Sequence, residues 1–370
     1  MLDKVDISLE AGVRNMIFAC GGCRPGHRLL IVHETEDDGY FDPHLAPEFA
    51  RIAGELGLET QCVGVPLYRE VADLDDWLID LIEAADCTIF FARLGDQIRF
   101  RPDGASKRQI VSYALDRDML ASSFGSVTYG AFEELKHLVN RAMSAAKDVH
   151  VTCPLGTDFR GRLSNPLTAQ GEVTRKRFPV SVFTPVSARD FSGRIAQAGF
   201  LTGTGSNYYH PYSRGLCDVV YVSFDANRIT GFDGCPNDVA AARAQYEFVG
   251  QTLGIDTYFV HSWHVGIHPG CHYGQTAAQN LERWSGGAFG NPRLLHFHTC
   301  GAYAPGEISL NVLDPTVCLD GVALWLNGVL RPDVLEGGPE LLDRYPDMKA
   351  LFETPSSAAG QGPDGRLSYH

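Results

Sequence analysis

The segment Leu29-Leu-Ile-Val32 carries the clearest fold signal in the chain, because four large aliphatic residues in succession are typical of a strand buried on both faces. Two further segments are predicted as strands, Gln61-Cys-Val-Gly-Val65 and Cys87-Thr-Ile-Phe-Phe91. Between the runs, residues 43–56 and 74–85 place apolar side chains at helical spacing. Strands that alternate with helices in this way predict a parallel sheet with helices on its faces.

The rest of the chain is richer in strand and turn signals. Strand-like runs occur at residues 180–184 and 228–232, and residues 237–253 predict a helix. Farther on, Asp320-Gly321 and Asn327-Gly328 stand between apolar runs, which is the strongest short-range signal for a tight hairpin. We therefore predict an antiparallel meander near the end of the chain.

These patterns predict an α/β fold class with two domains. The first is an N-terminal, mainly parallel α/β domain that ends after a helix predicted over residues 131–146, and the second is a C-terminal mixed α+β domain that the antiparallel meander closes. The predicted boundaries are residues 1–150, residues 151–353, and a peripheral tail over residues 354–370 that is rich in Ser, Gly and Pro.

The composition is that of an ordinary globular protein, since 44% of the 370 residues are hydrophobic and 21% are charged. Its net charge of -14 comes from scattered Asp and Glu, which argues against nucleic acid as a partner. No apolar run has the length of a membrane-spanning helix, and the first residues, with Asp3 and Asp6, do not resemble a signal peptide. We therefore expect a cytoplasmic protein with no membrane contact, and its ten scattered cysteines predict reduced thiols.

Two short motifs are interpreted as loops without a function of their own. Cys20-Gly-Gly-Cys23 has the spacing of a redox or zinc pair, but no second pair accompanies it and Pro25-Gly26 follows where a redox motif would begin a helix. Thr202-Gly-Thr-Gly-Ser206 resembles a phosphate-binding loop, but no Gly-Lys-Ser/Thr follows it.

A dense group of histidines indicates a metal site. Four imidazoles lie in the twelve residues His261-Ser-Trp-His264-Val-Gly-Ile-His268-Pro-Gly-Cys-His272, and His296-Phe-His298 and then Asp320 follow. Imidazole is the commonest protein ligand for zinc and ferrous iron, and a carboxylate often completes such a ligand set. The alternative for any single histidine is an ordinary hydrogen-bonded residue.

The order of these pieces resembles a known family, the aminopeptidase T type metallo-aminopeptidases and their relatives, the 2,5-dihydroxypyridine 5,6-dioxygenases. The resemblance covers most of the chain downstream of residue 85. Its landmarks are Gly156-Thr-Asp-Phe159, Phe178-Pro-Val-Ser-Val-Phe-Thr-Pro185, Ile229-Thr-Gly-Phe-Asp-Gly234, His264-Val-Gly-Ile-His-Pro-Gly270 and Asp314-Pro-Thr-Val-Cys-Leu-Asp-Gly321.

The resemblance implies a set of metal ligands. The dioxygenases have an iron-ligand histidine at the position of His264, where the aminopeptidases have a glutamate, and both branches add His-x-Asp, which here becomes Cys318-Leu-Asp320. A thiolate can bind iron or zinc, so the predicted metal ligands are His264, Cys318 and Asp320. Two alternatives stay open: His296 or His298, which share a face of a predicted strand, supplies the missing imidazole, or Asp320 belongs to a plain hairpin turn.

The catalytic and substrate-binding predictions follow from the same resemblance. His268, His296 and His298 are the predicted catalytic side chains, with His268 beside the metal ligands or facing the substrate. Arg93, Arg175 and Arg177 are predicted to bind substrate: they stand near the places where the dioxygenases carry acid–base histidines, and a guanidinium suits an anionic group.

We therefore predict an enzyme, a Fe(II)-dependent ring-cleaving dioxygenase that acts with O₂ on a hydroxylated pyridine or related small, anionic aromatic acid, and we expect a homo-oligomer. The first alternative is a Zn- or Mn-dependent aminopeptidase or amidase that uses the same pocket. A two-metal version of it is disfavoured, because the chain lacks two of the carboxylates that such a site needs. The second alternative is a non-catalytic relative without metal.

Overall fold

The computed structural model describes residues 9–35, 39–68, 74–98, 108–167, 175–203, 209–301 and 307–369. The chain divides into two compact units. Unit 1 comprises Met1–Glu133, Glu172–Val180 and Asp347–Glu353. Unit 2 comprises Glu134–Gly171, Ser181–Pro346 and Thr354–His370. Each unit is therefore built from several segments, whereas the sequence predicts continuous domains over residues 1–150 and 151–353.

The strands of the described residues are numbered in chain order. They are β1 (Arg28–Glu34), β2 (Glu59–Val65), β3 (Cys87–Phe91), β4 (Arg108–Ser112), β5 (Val149–Thr152), β6 (Asp158–Gly161), β7 (Lys176–Phe178), β8 (Val186–Ser187), β9 (Phe191–Gln197), β10 (Phe200–Thr202), β11 (Ser213–Gly215), β12 (Val220–Asp225), β13 (Arg228–Asp233), β14 (Val260–Val265), β15 (Leu294–Thr299), β16 (Ile308–Leu313), β17 (Thr316–Leu319), β18 (Val322–Leu326) and β19 (Val329–Leu330).

The α-helices are numbered in the same way. They are α1 (Leu9–Arg14), α2 (Leu45–Glu55), α3 (Asp76–Ala84), α4 (Leu94–Gln97), α5 (Arg117–Ala121), α6 (Ser123–Ser126), α7 (Tyr129–Ala145), α8 (Pro236–Leu253), α9 (Leu281–Gly287), α10 (Gly338–Arg344) and α11 (Pro346–Glu353). A π-helix, Asn15–Cys20, continues α1. None of the described helices combines the length and the apolarity that crossing a membrane requires.

Unit 1 contains the predicted parallel sheet. Its described strands have the order β2-β1-β3-β4-β7, and every neighbouring pair is parallel. All five residues of β3 are buried, as expected for a strand covered on both faces. Helices α2 and α3 present apolar faces, through residues such as Phe49 and Leu78, that are buried in this unit. The N-terminal part of the fold prediction is thus confirmed.

Unit 2 contains two antiparallel sheets. The six-stranded sheet has the order β11-β10-β16-β15-β14-β8, and the eight-stranded sheet has the order β13-β12-β9-β6-β5-β17-β18-β19. Aromatic rings fill the space between these sheets: Phe159 of the eight-stranded sheet contacts Trp263 and Phe297 of the six-stranded one, with ring centroids 5.3 and 5.2 Å apart. The two sheets therefore share one aromatic core.

The closing meander is confirmed in detail. Strands β17, β18 and β19 pair in antiparallel order, and the two turns between them are Asp320-Gly321 and Asn327-Gly328. Asp320 and Asn327 have φ angles of 49° and 48°, and the glycines that follow them have φ angles of 86° and 78°. Positive φ at both central residues is the backbone that twisted two-residue hairpins require, and Asx-Gly sequences adopt it at little cost.

The last residues are not a peripheral tail. Residues 354–369 belong to unit 2, where Ala359 and Leu367 are buried. The indole Nε1–H of Trp284 donates a hydrogen bond to the Ala359 carbonyl oxygen, and the Tyr273 backbone N–H donates to the Ala358 carbonyl oxygen, both at 2.9 Å. A segment with this packing contributes to the core, although its composition is typical of a loop. Of the predicted Gly-rich loop, residues 204–206 lie outside the described residues.

Candidate metal centre

One face of the six-stranded sheet is polar although it is buried. In the strand register His264 lies opposite His296, Ser262 lies opposite His298, and these two β15 histidines lie opposite residues of β16. Because opposed residues share a face and side chains alternate along a strand, the same face carries all of these side chains: Thr202, Ser262, His264, His296, His298, Ser309 and Asn311. Each of the seven is at most 7% exposed. The intervening residues form the other, aromatic face.

Local sequence explains this two-sided sheet. Strand β15 reads Leu-Leu-His-Phe-His-Thr, so that its aromatic residue and its histidines alternate. Strand β14 repeats the pattern with Trp263 next to His264. Trp263 and Phe297 contact the aromatic core between the sheets, which fixes the register and turns the histidines to the opposite face.

Three imidazoles converge on this polar face. The Nε2 atom of His264 lies 2.7 Å from Nε2 of His296 and 3.2 Å from Nε2 of His298. Among the described residues, these three form the group of potential ligands that could hold a metal ion, and one nitrogen from each falls within 4.8 Å of the others. No carboxylate or thiol belongs to this group.

Neighbouring groups orient the rings of the cluster. The Nδ1 atom of His264 lies 3.2 Å from the carbonyl oxygen of Phe183, so Nδ1 carries the proton that donates to this oxygen. That tautomer leaves a lone pair on Nε2, which is the form that binds a metal ion. The ring of Phe289 stacks on His296, with centroids 4.1 Å apart and an interplanar angle of 18°.

The donor set fits a divalent ion. Nitrogen ligands about 2.0–2.1 Å from one ion lie roughly 3.0–3.4 Å from each other, close to the 2.7 and 3.2 Å that separate the imidazole nitrogens here. Three Nε2 atoms that face one another need a shared proton or a shared cation, because lone pairs at such distances repel. Zinc and ferrous iron are among the ions for which imidazole is a favoured ligand.

His268 is fully buried in the turn that follows β14. Burial lowers its pKa to about 3, and its Nδ1 atom accepts a hydrogen bond of 3.2 Å from the Gly270 backbone N–H. The imidazole is therefore neutral at physiological pH, with its proton on Nε2. It is not part of the three-histidine group. The prediction that His268 has a catalytic role stays a prediction.

Cys318 and Asp320, the other two predicted ligands, lie in the eight-stranded sheet and not in the three-histidine group. Cys318 is part of β17, and Asp320 is exposed at the turn to β18. The Oδ1 atom of Asp320 accepts hydrogen bonds from the backbone N–H groups of Lys147 and Asp148, at 2.9 and 2.8 Å. Asp320 thus lies in a hairpin turn, which was the alternative to its role as a ligand. His296 and His298 lie beside His264.

The three arginines predicted to bind substrate belong to unit 1, whereas the histidine cluster belongs to unit 2. Arg93 and Glu34 form a buried, bidentate ion pair in which Nη2 lies 2.7 Å from Oε2, and both side chains are at most 3% exposed. The Nε–H of Arg175 donates to Oε1 of Gln109 on the neighbouring strand, at 2.8 Å. Arg177 is half-buried in β7. Arg93 already has a carboxylate, so a substrate carboxylate would have to compete with Glu34.

The sequence interpretation gave no role at the cluster to several residues around it: Thr202, Phe183, Phe289, Ser309 and Asn311. For Ser309 and Asn311 a signal existed, because Ile308-Ser-Leu-Asn-Val312 alternates apolar and polar residues as a strand does. The contacts of Phe183 and Phe289 depend on tertiary structure alone.

Comparison with known proteins supports the fold. No protein-family model and no curated protein sequence matches the chain. The structure is similar to that of 2,5-dihydroxypyridine dioxygenase from Pseudomonas putida, with a TM-score of 0.59 and 16% identity over 87% of this chain and 96% of that chain. It also matches AmpT from Thermus thermophilus, with a TM-score of 0.46 and 10% identity over 86% of this chain and 98% of that one.

The first of these proteins belongs to the dioxygenase branch that the sequence resembles, so the similarity in fold agrees with that resemblance. At 16% identity the similarity to the dioxygenase establishes a shared fold.

Proposed function

We propose that this protein is a metal-dependent enzyme in which His264, His296 and His298 hold a divalent ion, and that with Fe(II) it cleaves the ring of a small hydroxylated aromatic acid or pyridine. The observation that carries this proposal is the convergence of three imidazole Nε2 atoms on a buried, polar sheet face. The fold shared with a dihydroxypyridine dioxygenase supports the choice of reaction.

The proposed ligand set differs from the one predicted from the sequence, His264, Cys318 and Asp320, but it retains His264 and a pair of ligands two residues apart. His296-Phe-His298 has the two-residue spacing of the His-x-Asp pattern, with an imidazole in place of the carboxylate. Side chains two apart on a strand share a face, so this spacing allows both to reach one ion. The proposal thus takes the alternative in which the β15 histidines supply the missing imidazole, and it gives both of them the role of ligand.

Charge at the cluster favours an anionic substrate. Three neutral imidazoles leave the full double charge of a divalent ion, and no carboxylate among the described residues belongs to the group. In a buried, low-dielectric setting that charge strongly favours an oxygen anion. A ring hydroxyl that ionises on binding supplies one, and a bound ferrous ion would contribute Lewis-acid activation of this hydroxyl together with the electron transfer that O₂ chemistry needs.

The protein's own groups position the ligands and exclude water. The Phe183 carbonyl oxygen holds His264 in the Nε2-binding tautomer, and the Phe289 ring fixes the plane of His296. Since the three histidines are 4–7% exposed, bulk water has little access to them. Limited access of water strengthens the electrostatic interactions and protects a ring that has been made reactive toward O₂.

A zinc or manganese hydrolase is the second candidate, and the same observation favours it. Three histidines are also the ligand set of zinc sites that lower the pKa of a bound water toward neutrality. An aminopeptidase or amidase would use that water as its nucleophile. The two candidates differ in the metal they need and in their demand for O₂.

The experiment that separates them uses anaerobically purified protein. Metal content is measured by mass spectrometry, and the metal-free protein is then loaded with Fe(II), Mn(II) or Zn(II). We expect Fe(II)-loaded protein to consume one O₂ for each 2,5-dihydroxypyridine, because both oxygen atoms enter the product and no reductant is required. Release of amine from amino-acid anilides by the Zn(II) or Mn(II) form, without O₂ uptake, would favour the hydrolase.

Two substitutions test the ligand assignment. His298→Ala should lose the metal and keep the far-ultraviolet circular dichroism of the wild type. His272→Ala is the matched control, because His272 belongs to the same histidine-rich segment as His264 but not to the three-histidine group. Full metal content in His298→Ala, or equal losses in both variants, would contradict the assignment.

A further inference from the structure

Beside the three histidines, the polar face of the six-stranded sheet carries two buried polar groups that find no hydrogen-bond partner among the described residues. Asn311 lies directly opposite His296 and is 3% exposed, yet its Nδ2 atom finds no hydrogen-bond acceptor among the described residues. Thr202, opposite Ser309 and 1% exposed, has an Oγ1 atom that likewise finds no partner there.

The other polar atoms of Asn311 hold it in place. Its Oδ1 atom accepts a 2.8 Å hydrogen bond from the Ser309 hydroxyl, and its backbone N–H donates to Oε1 of Gln197. The amide is thus fixed with a free N–H₂ donor on the face that holds the cluster. Buried polar groups without partners are rare in folded proteins, because each loses its hydration without recovering a hydrogen bond. Two of them on one face, next to a potential metal centre, indicate a missing ligand.

The chemistry of the pair defines that ligand. An amide N–H₂ is a donor only, and a threonine hydroxyl can donate as well, so together they match an oxygen that accepts two hydrogen bonds. The seven residues of this face include no acidic side chain that would repel an anion. Opposed residues of an antiparallel pair have Cβ atoms about 4.5–5.5 Å apart, so a small molecule that contacts His296 can also reach Asn311.

We infer that Asn311 and Thr202 bind the carboxylate of the substrate, so that the substrate is a hydroxylated ring acid held by its ring oxygen at the histidine cluster and by its carboxylate at these two donors. The inference rests on the proposed function and narrows its substrate class. It also completes the charge argument, since a ring oxygen anion and a carboxylate together offset the double charge of a divalent ion bound by neutral imidazoles.

Ligand binding to zinc-loaded protein tests this inference without any turnover. The probes are salicylate and phenol, which share the ring hydroxyl and differ by the carboxylate, and dissociation constants come from titration calorimetry. We expect Asn311→Ala to weaken salicylate binding about tenfold or more, the scale of a lost hydrogen bond to a charged group, and to leave phenol binding unchanged. Asn311→Asp should weaken it further by repulsion.

Thr202→Val gives a second test: it is close to isosteric, and it removes a hydroxyl that finds no partner among the described residues. Its matched control is Thr88→Val, because Thr88 is a buried threonine of unit 1 whose Oγ1 atom also lacks a partner among the described residues. Only Thr202→Val should reduce the preference for salicylate over phenol. The same test is valid if Asn311→Ala fails to fold.

The outcomes distinguish this inference from the proposed function. Zinc content equal to wild type with an unchanged preference for salicylate in the Asn311 and Thr202 variants would overturn the inference alone, and would mean that the two donors serve only water. A wild-type protein that binds no metal would overturn the proposed function and the inference with it. Loss of zinc from Asn311→Ala and from Thr202→Val would overturn the carboxylate role.

Discussion

His268 makes the stability of unit 2 depend on pH in a way that one substitution should remove. Its side chain is 0% exposed, and burial lowers its pKa to about 3, while an imidazole in an unfolded chain has a pKa of about 6.5. Between these two pH values the unfolded chain binds a proton that the folded protein does not bind. The free energy of unfolding therefore falls as the pH falls through this window.

The size of the effect follows from the linkage between proton binding and folding. One proton of difference changes the free energy of unfolding by about 1.4 kcal/mol per pH unit. Lowering the pH from 7.5 to 4.5 should therefore remove about 2.7 kcal/mol through His268 alone. More than about one pH unit above 6.5 both states are neutral at this residue, so the contribution no longer depends on pH.

His268→Asn is the informative variant. The asparagine Oδ1 atom can take the position of Nδ1, which accepts from the Gly270 N–H, and asparagine does not titrate. Tryptophan fluorescence reports on the correct unit, because Trp263, Trp284 and Trp325 are fully buried in unit 2, whereas Trp77 of unit 1 is 45% exposed. Urea unfolding would be measured at several pH values between 7.5 and 4.5.

We expect the variant to show a shallower decrease of stability with acid than the wild type, by about 1.4 kcal/mol per pH unit below pH 6.5. His210→Asn is the control, because His210 is exposed in the same unit. Parallel pH dependences of His268→Asn and the wild type would refute the reasoning, whatever the absolute stability of the variant.

Three other substitutions give sharp expectations. Asp320→Asn should leave the metal content unchanged, because Asp320 binds the backbone N–H groups of Lys147 and Asp148, and should lower the urea stability by about 1 kcal/mol; a loss of metal would restore Asp320 as a ligand. Glu34→Gln should destabilise the protein by about 3 kcal/mol in thermal unfolding, because it leaves the Arg93 charge buried without its partner. Replacing both Glu34 and Arg93 by Met should lower the stability by less. Equal losses of stability in the two variants would contradict a buried ion pair. Gly266→Ala should reduce both metal affinity and the free energy of unfolding, because the added Cβ would clash with the Asn291 carbonyl oxygen beside β14. Gly274→Ala is the control, because a Cβ at that position meets nothing within 4 Å. It should match the wild type in metal titration and in unfolding.

Local patterns in the sequence were sufficient for the strands but not for their partners. Strand-like segments predicted β1, β2 and β3 of the parallel sheet, and each is present, although most of β2 is exposed. Strand β7, which completes that sheet, comes from a distant segment and pairs with β4. Arg175 precedes this strand and was interpreted as part of a substrate-binding run, whereas its side chain contacts Gln109 in the sheet. Pairing between distant strands depends on tertiary packing, which no short window of sequence contains.

The histidine cluster also could be predicted only in part from the sequence. The alternation of β15 was enough to predict that His296 and His298 share a face. That β14 is the neighbour of β15, with His264 opposite His296, depends on the order of the whole six-stranded sheet. At Asp320 the sequence held two signals, a ligand position from the family resemblance and a turn before Gly321, and the local turn geometry agrees with the second.

The polar face itself is the strongest reason to expect a function in unit 2. The opposite face of the same sheet carries Trp263 and Phe297, which pack against the second sheet and stabilise the fold. Apolar residues at the seven polar positions would satisfy the same alternation and would remove two buried donors that find no partner in the described part of the chain. Three imidazoles, an amide and a hydroxyl at these positions make the fold less stable than apolar residues would. Such losses of stability concentrate at ligand-binding and catalytic sites.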